Sequence, residues 1–269
     1  MLSNSDLVSQ VDKKFGEDVS NQRFSNQLFM RLVAKEKRFT NVHFTQSIFD
    51  SCYIRKCVFD SCDFTGCRFI GSNLSGSVFW GCTFDYATFE RTAIDNDILS
   101  GGCPGHENLK MRFARSLRMN YQQLGDAKSV NKAITVELQA TEAHLHKAWR
   151  SPESYYRKKY GGYKRIQVFS EWTVFKVLDV LWGNGESVWK LLRAVAVALF
   201  AIAMVDAIAF RDGSQISSYG RALLDAPQIF LGTISQVSYP SPCLTLIMLL
   251  KLGVFGLLTA IIVKRFNRR

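Results

Sequence analysis

Residues 40–99 decide the fold, and in groups of five they read TNVHF TQSIF DSCYI RKCVF DSCDF TGCRF IGSNL SGSVF WGCTF DYATF ERTAI DNDIL. Each group ends in a large apolar residue, and Phe39 precedes the first group, so apolar centres recur at every fifth position from Phe39 to Leu99. A helix face would need a period of about 3.6 and an alternating strand a period of about 2. The period of five therefore predicts a repeat architecture.

This pattern resembles the pentapeptide-repeat family, because a small residue also stands two positions before most centres, as Cys57 does before Phe59. The resemblance implies a right-handed quadrilateral β-helix over residues 37–102, in which each pentapeptide forms one side and the centres face inward. The expected core consists of these centres: Phe44, Phe49, Phe59, Phe64, Phe69, Leu74, Phe79 and Phe84.

Stacking of the coils gives a second argument for this fold. Four sides of five residues make a coil of about 20 residues, so centres 20 positions apart would lie on the same side. Ile54, Leu74 and Ile94 then share one side and are all aliphatic, whereas the other sides are dominated by Phe. A short solenoid needs a cap at each end. We predict an N-terminal cap over residues 1–36, with a capping helix at 24–34.

The cysteines of the repeat are predicted to be small packing residues. Cys52, Cys57, Cys62 and Cys67 are five residues apart and would lie on different sides of one coil. Because they would point into a packed interior from four different sides, we favour small packing residues over a metal or redox site. The polar segment Met1–Lys14 lacks the apolar run of a secretory signal, which favours reduced thiols.

The charge distribution separates two classes of partner. The net charge is +11, yet residues 37–104 sum to −1, so the repeat lacks the dense negative surface that DNA mimicry requires. Residues 105–190 and 191–269 carry +7 and +5, and the long apolar runs lie there as well. This combination favours a membrane surface and argues against nucleic acid.

Residues 103–150 have helical spacing. Leu109, Phe113 and Leu117 begin one apolar series and Ile134 and Leu138 belong to a second, which predicts a helical hairpin joined near Gly125. His144 and His146 would point to different faces, which favours surface or hydrogen-bonded histidines over a metal or acid–base site.

Residues 151–187 combine basic and aromatic side chains. Ser151-Pro152-Glu153 predicts a helix start, and tyrosines and cations alternate up to Arg165. Such residues can bind single-stranded nucleic acid or lipid headgroups, and a solvated helix face is a third alternative. The charged amphipathic stretch 166–182 favours the membrane interface. Our candidates for lipid contact are Arg157, Lys158, Lys159, Lys164, Arg165 and Trp172.

Residues 188–269 contain two apolar stretches, Leu191–Phe210 and Cys243–Val263, each long enough to cross a hydrocarbon core of about 30 Å. Basic residues flank the start of the first and the end of the second. The positive-inside rule then predicts that both termini lie in the cytoplasm and residues 211–242 outside. We expect a multi-pass protein of the bacterial inner membrane.

The segment between these stretches contains a short apolar run. The order of span, short helix, turn and span resembles the pore units of two-span cation channels found behind some bacterial pentapeptide repeats. A potassium filter of that family reads Thr-x-Gly-Tyr-Gly, whereas no glycine follows Thr233 before the second stretch, which predicts poor ion selectivity. The pore-loop candidates are Thr233, Ile234, Ser235, Gln236 and Ser238.

Asp206 and Lys251 are ionisable groups inside apolar stretches and are functional candidates by default. Their expected depths differ by only about 6 Å. They would therefore pair with each other or face a pore, or Lys251 would extend outward toward the membrane surface.

No phosphate loop, nucleophile elbow or zinc-protease motif is present in the sequence, so we predict neither an enzyme nor a cofactor. The sequence favours an oligomeric channel-like protein or a membrane-permeabilising effector, a tetramer by resemblance, whose cytoplasmic repeat is a sensor or assembly surface for a protein partner. The alternative is a non-conducting membrane-anchored scaffold, and a DNA-mimic regulator is the third hypothesis.

Overall fold

A computed structural model describes residues 7–211, 215–233 and 239–266. The chain divides into two compact units, Met1–Phe169 and Ser170–Arg269. The first unit is a β-solenoid of about four coils followed by helices, and the second is helical.

Short parallel strands form the coils of the solenoid. Neighbouring strands pair in register with residues 20 positions apart, as Phe39 pairs with Phe59 and Phe59 with Phe79. The strands are β1 Val8–Val11, β2 Lys14–Phe15, β3 Val19–Ser20, β4 Gln27–Met30, β5 Val33–Lys35, β6 Arg38–Thr40, β7 Ile48–Asp50, β8 Tyr53–Arg55, β9 Val58–Asp60, β10 Arg68–Ile70, β11 Val78–Trp80 and β12 Thr88–Glu90.

Three parallel sheets result, in the orders β1-β4-β7-β10-β12, β11-β9-β6-β3 and β2-β5-β8. A fourth line of isolated parallel bridges joins Arg23, His43, Asp63 and Thr83. The register of 20 follows from the period of five when the chain turns four times per coil.

The apolar centres fill the interior of the solenoid. The eight core candidates are each at most 8% exposed. Rings 20 residues apart stack nearly parallel, with centroids 4.8 Å apart for Phe39 and Phe59 and 5.2 Å apart for Phe44 and Phe64. Ile54 lies in the aliphatic column, beside Ala34. Like side chains therefore stack on like along the interior of the solenoid.

The predicted capping helix at 24–34 is wrong. Its residues form β4 and β5, because Phe24, Phe29 and Ala34 continue the period of five toward the N-terminus. Arg31 has a φ of 55°, which is incompatible with a right-handed helix. The coils begin at β1, so residue 36 is not a structural boundary.

Lys13 covers the N-terminal end of the solenoid core. Its ammonium nitrogen lies 4.5 Å from the ring centroid of Phe24 and 5.1 Å from that of Phe15. Burial lowers the pKa of Lys13. A cation on aromatic faces is an acceptable end to an aromatic column because the ring faces carry partial negative charge.

Helices cover the C-terminal end. They are α1 Ile98–Gly101, α2 Glu107–Gln123 and α3 Ala127–Arg150, and Gly125 lies between α2 and α3 with a φ of 72°. The two helices predicted within residues 103–150 are thus present. Phe113 of α2 packs on Phe84 of the last coil with centroids 5.6 Å apart.

Side chains of α2 replace the hydrogen-bond partners that a further coil would supply. The Phe89 N–H donates to Ser116 Oγ at 2.9 Å and the Arg91 N–H to Gln123 Oε1 at 2.9 Å. Buried Asn120 accepts from the Thr92 N–H at 2.7 Å and donates to the Thr92 carbonyl at 2.8 Å. Ser116, Asn120 and Gln123 share a helix face because they follow the i, i+4, i+7 spacing.

Two further helices follow, α4 Ser154–Lys159 and α5 Tyr163–Trp182. The predicted N-cap at Ser151 is wrong by two residues, because Glu153 is the N-cap of α4. Ser151 is the C-cap of α3, its amide donating to the Lys147 carbonyl at 2.9 Å. Pro152 follows because proline cannot continue a helix, and prolines are common just after helix C-caps.

The second unit contains the apolar helices. They are α6 Val188–Val205, which continues into a π-helical turn at Asp206–Phe210, α7 Ile216–Leu231 and α8 Ser241–Phe266. The stretches Val188–Phe210 and Ser241–Lys264 are long and apolar enough to cross a membrane. The 16 residues of α7 span only about 24 Å.

Candidate functional site

A buried carboxylate lies at the end of the first apolar stretch. Asp206 is 2% exposed and forms an ion pair with Arg211, with 2.6 Å between Oδ2 and Nε. The Tyr239 hydroxyl donates to Asp206 Oδ1 at 2.7 Å. Arg211 also donates through Nη2 to Asp225 Oδ2 at 2.6 Å, so one guanidinium joins two carboxylates.

Three elements build this polar cluster of Asp206, Arg211, Asp225 and Tyr239. The π-helical turn supplies Asp206 and is followed directly by Arg211, α7 supplies Asp225, and Tyr239 stands just before α8. The Tyr239 ring packs on Phe210 with centroids 4.3 Å apart. Burial, and then the hydrogen bond to Asp206, raises the pKa of Tyr239. The cluster therefore fastens both apolar stretches and α7 at one end.

Lys251 belongs to a different contact. Its ammonium donates to the Leu231 carbonyl at the C-terminal end of α7 at 3.2 Å. Gly232 follows with a φ of 74° and ends that helix. The position is electrostatically favourable because the carbonyl end of a helix carries partial negative charge.

The alternative in which Asp206 pairs with Lys251 is wrong. The depths of Asp206 and Lys251 in their apolar stretches take no account of α7, which lies between the two stretches in the chain. Arg211, five residues from Asp206, reaches the carboxylate first, and the end of α7 supplies the acceptor for Lys251.

One of the five pore-loop candidates, Thr233, lies within the described residues. Thr233 lies at the end of α7, where its hydroxyl donates to the Gln228 carbonyl at 3.2 Å. Ile234, Ser235, Gln236 and Ser238 lie outside the described residues.

Several candidates for lipid contact bind the protein itself. Arg157 Nη2 donates to the Ala148 carbonyl at 2.6 Å and Arg165 Nε to the Trp149 carbonyl at 2.7 Å, so both arginines cap the end of α3. Lys159 donates to the Tyr155 hydroxyl at 3.3 Å. Lys158 and Lys164 are exposed, and Trp172 is half-buried on α5.

Cations at the basic ends of the apolar stretches have acidic partners. Lys190 Nζ lies 2.8 Å from Asp179 Oδ1, and Lys264 forms an ion pair with Glu186. Sequence reasoning missed these pairs, although Asp179 and Glu186 stand within the same short segment before α6. One pair joins the start of α6 to α5, and the other joins Glu186, just before α6, to α8.

His144 lies on α3 and faces Tyr160 at the end of α4. Its Nε2 is 3.2 Å from the Tyr160 hydroxyl, and burial lowers the pKa of the imidazole. Across residues 7–211, 215–233 and 239–266, no three His, Cys, Asp or Glu side chains come together as a metal site would require.

Comparison with known proteins assigns the solenoid. Residues 38–76 and 62–101 match the family model of pentapeptide repeats, with 8 copies. Residues 38–101 are pentapeptide repeats. This confirms the sequence-based prediction of the family for that part of the chain. Among the helices that follow the repeats, two are long and apolar enough to cross a membrane.

Two solved structures are similar to part of the chain. QnrB1, a plasmid-mediated fluoroquinolone resistance protein, is 17% identical with a TM-score of 0.13, and the match covers 31% of this chain and 48% of QnrB1. A pentapeptide repeat protein from the thylakoid lumen of Arabidopsis thaliana is 19% identical with a TM-score of 0.14, covering 32% and 74%. The chain thus spans about half the length of QnrB1. No curated protein matches the sequence.

Proposed function

We propose that this protein is an oligomeric inner-membrane channel-like protein or membrane-permeabilising effector that lacks enzymatic activity and has a cytoplasmic pentapeptide-repeat domain as sensor or assembly surface. The observation that carries the proposal is the arrangement of α6, α7 and α8. Two helices of membrane-spanning length flank a helix that is too short to span, and its carbonyl end meets a charged side chain of α8.

Lipid contact is supported by the surface of α8. Leu246 is 70% exposed and Leu249 61%, and Met248, Leu252 and Phe255 are more than half exposed. Each Å² of apolar surface left in water forgoes about 25 cal/mol, so a contiguous surface of this kind favours an apolar solvent. A bilayer would cover this surface.

The topology follows from the basic ends. With Lys190, Arg193 and Lys264 on the cytoplasmic side, both termini and the solenoid are cytoplasmic. The cysteines, which are free thiols, suit that compartment.

Conduction requires several copies because two spans cannot enclose a pore, and the resemblance to two-span channels favours four. The carbonyl end of a short helix aimed at a pore would attract cations. Here the Lys251 ammonium occupies that end. We therefore infer a pore that does not favour cations and is poorly selective.

Planar-bilayer recording with purified full-length protein tests this proposal. We expect current with little preference between K⁺ and Cl⁻, read as a reversal potential near zero in a KCl gradient. Lys251→Met should shift the reversal potential toward that of K⁺, and Lys158→Met, which removes an exposed charge outside the apolar helices, should not. A monodisperse wild-type oligomer that stays electrically silent at all voltages, alone and with cell extract, contradicts the channel.

The alternative is a membrane-anchored interaction scaffold without conductance. It is favoured by the contacts of Lys251 and Arg211, whose charged groups find their partners within one chain. Electrical silence together with membrane insertion would support it. The DNA-mimic hypothesis has less support, since the solenoid surface mixes both signs of charge, as in the Arg31–Asp12 pair at 2.8 Å.

A further inference from the structure

A groove of about 420 Å³ lies where α2 covers the last coil. Its floor is the outer face of β10 and β12 and its wall is one side of α2, all within the first unit. The lining side chains that point into solvent include three arginines, Arg68, Arg112 and Arg115, and the apolar Ile70 and Met119.

The groove carries uncompensated positive charge. Arg115 Nε is 2.8 Å from Glu137, but Glu137 is shared with Arg118 at the same distance. The lining carboxylate, Glu90, is 3.2 Å from Arg91. Within the part of the chain that the structure describes, Arg68 and Arg112 have no acidic group within ion-pair distance. An anionic partner would therefore gain charge pairing without displacing an existing one.

The floor of the groove mixes apolar and charged side chains. Ile70 lies between Asp50 and Glu90 in the strand register, and Arg68 lies beside Ile48, which in turn pairs with Leu28. Met119, on α2, is 52% exposed. A purely electrostatic ligand such as a nucleic-acid backbone would gain nothing from this surface and would need more cations along its path.

Strand addition is not available as a mode of binding here. The amides of Phe89 and Arg91 at the edge of β12 already donate to Ser116 and Gln123. A partner must therefore be recognised through its side chains, with carboxylates on the arginines and apolar groups on Ile70 and Met119.

We propose that this groove docks an acidic, partly apolar segment of a partner protein. The site lies in the pentapeptide-repeat unit and uses none of the residues of the apolar helices, so it stands whether or not the protein conducts. It locates the proposed sensor or assembly role of the repeat at this groove and specifies an acidic, partly apolar partner.

Selection from a phage-displayed library of random dodecapeptides on the detergent-purified full chain tests the proposal. We expect selected peptides to be net negative and to contain apolar residues. Binding of a synthetic selected peptide should weaken about tenfold or more in the double variant Arg68→Gln, Arg112→Gln, because two charge-assisted contacts to its carboxylates are lost. Met119→Gln, which keeps side-chain length and removes apolarity, should weaken it as well.

The matched control is the double variant Arg23→Gln, Arg38→Gln, which removes two exposed arginines from other faces of the solenoid. It should bind the selected peptide as the wild type does. Failure to enrich any peptide, enrichment of neutral or basic peptides, or equal losses in the two double variants would overturn the proposal. Circular dichroism of each variant excludes loss of folding as the cause.

Discussion

At the scale of single residues, the solenoid depends on inward side chains that repeat the same contacts in each coil. Cys52 Sγ donates to the Phe29 carbonyl at 3.3 Å and Ser72 Oγ donates to the Phe49 carbonyl at 3.0 Å, so thiol and hydroxyl take equivalent roles. Burial raises the pKa of Cys52 to about 11, which keeps this thiol protonated and unreactive at neutral pH. The cysteines in these positions thus act as packing groups that also bind backbone carbonyls.

Phe64 is the residue whose truncation should damage the solenoid most. It is 1% exposed and stacks between Phe44 at 5.2 Å and Phe84 at 5.0 Å. Phe64→Ala should lower the free energy of unfolding by about 3–5 kcal/mol, because it leaves a cavity in a closed column. Denaturant titration measures the loss. Tyr86→Ala, at a position 60% exposed, should change it little, and similar losses in both variants would contradict the assigned core.

His144 should make the stability of the helical hairpin depend on pH. Its pKa is lowered from 6.5 by burial, so the unfolded chain binds the proton more tightly than the folded protein. The free energy of unfolding should therefore fall as the pH drops below about 6.5 and level off below the lowered folded pKa. Thermal unfolding between pH 8 and pH 5 measures this. His144→Gln should flatten the dependence, whereas a persisting slope, or an equal effect of His106→Gln, would count against His144.

At the scale of elements, α2 is the cap of the solenoid. A parallel coil leaves one row of backbone amides without partners, and an unpaired buried amide costs free energy comparable to a lost hydrogen bond. Ser116, Asn120 and Gln123 supply those partners from one helix face. The short solenoid is thereby closed without a further strand.

Asn120 makes the decisive contacts of this cap. Asn120→Ala should destabilise the last coil by about 1–3 kcal/mol, because the buried backbone N–H and carbonyl of Thr92 both lose their hydrogen-bond partner. Hydrogen–deuterium exchange should rise in peptides covering residues 84–95 and much less in those covering 40–60. Gln122→Ala, an exposed neighbour, is the control, and unchanged exchange in the Asn120 variant would refute the capping role.

The two carboxylates of the polar cluster should contribute unequally to the stability of the second unit. Asp206→Ala leaves Arg211 and Tyr239 partly unpaired in a buried place, whereas the side chain of Asp225 is 32% exposed and water can replace it. We expect Asp206→Ala to lower the melting temperature in detergent more than Asp225→Ala does. The reverse order would show that the cluster is not held by Asp206.

At the scale of the whole molecule, the protein combines a cytoplasmic solenoid with an apolar helical unit in our proposal. The two parts rely on opposite solvents, since the solenoid hides its Phe columns inside while α8 exposes its leucines. Membrane insertion would be what makes the second unit stable.

The topology can be tested with reporter fusions at each terminus. We expect a cytoplasmic reporter to be active and a periplasmic one to be silent at both ends, because Lys190 and Lys264 mark the same side. A cysteine introduced at Gln215, between the two apolar stretches, should react with a membrane-impermeant maleimide in whole cells. An external C-terminus would leave one span and end the channel argument.

The sequence by itself determined the period of the solenoid and the length of the apolar helices. A centre at every fifth residue leaves one compatible register, that of 20, and 20 or more apolar residues leave few alternatives to a buried or membrane helix. The same period extends back to Phe24, but Ala34 weakens the signal, so the sequence alone favours a capping helix where β4 and β5 lie.

Only the tertiary structure decided which polar groups meet. Thr92 and Asn120, 28 residues apart, and Asp206 and Tyr239, 33 apart, carry no local pattern that marks them as partners. Arg157 and Arg165 likewise resemble lipid contacts in the sequence, whereas in the structure they donate to backbone carbonyls at the end of α3. Apolar patterning depends on burial, which repeats along the chain, whereas a hydrogen bond depends on the approach of two atoms within about 3 Å, which the packing of distant elements controls.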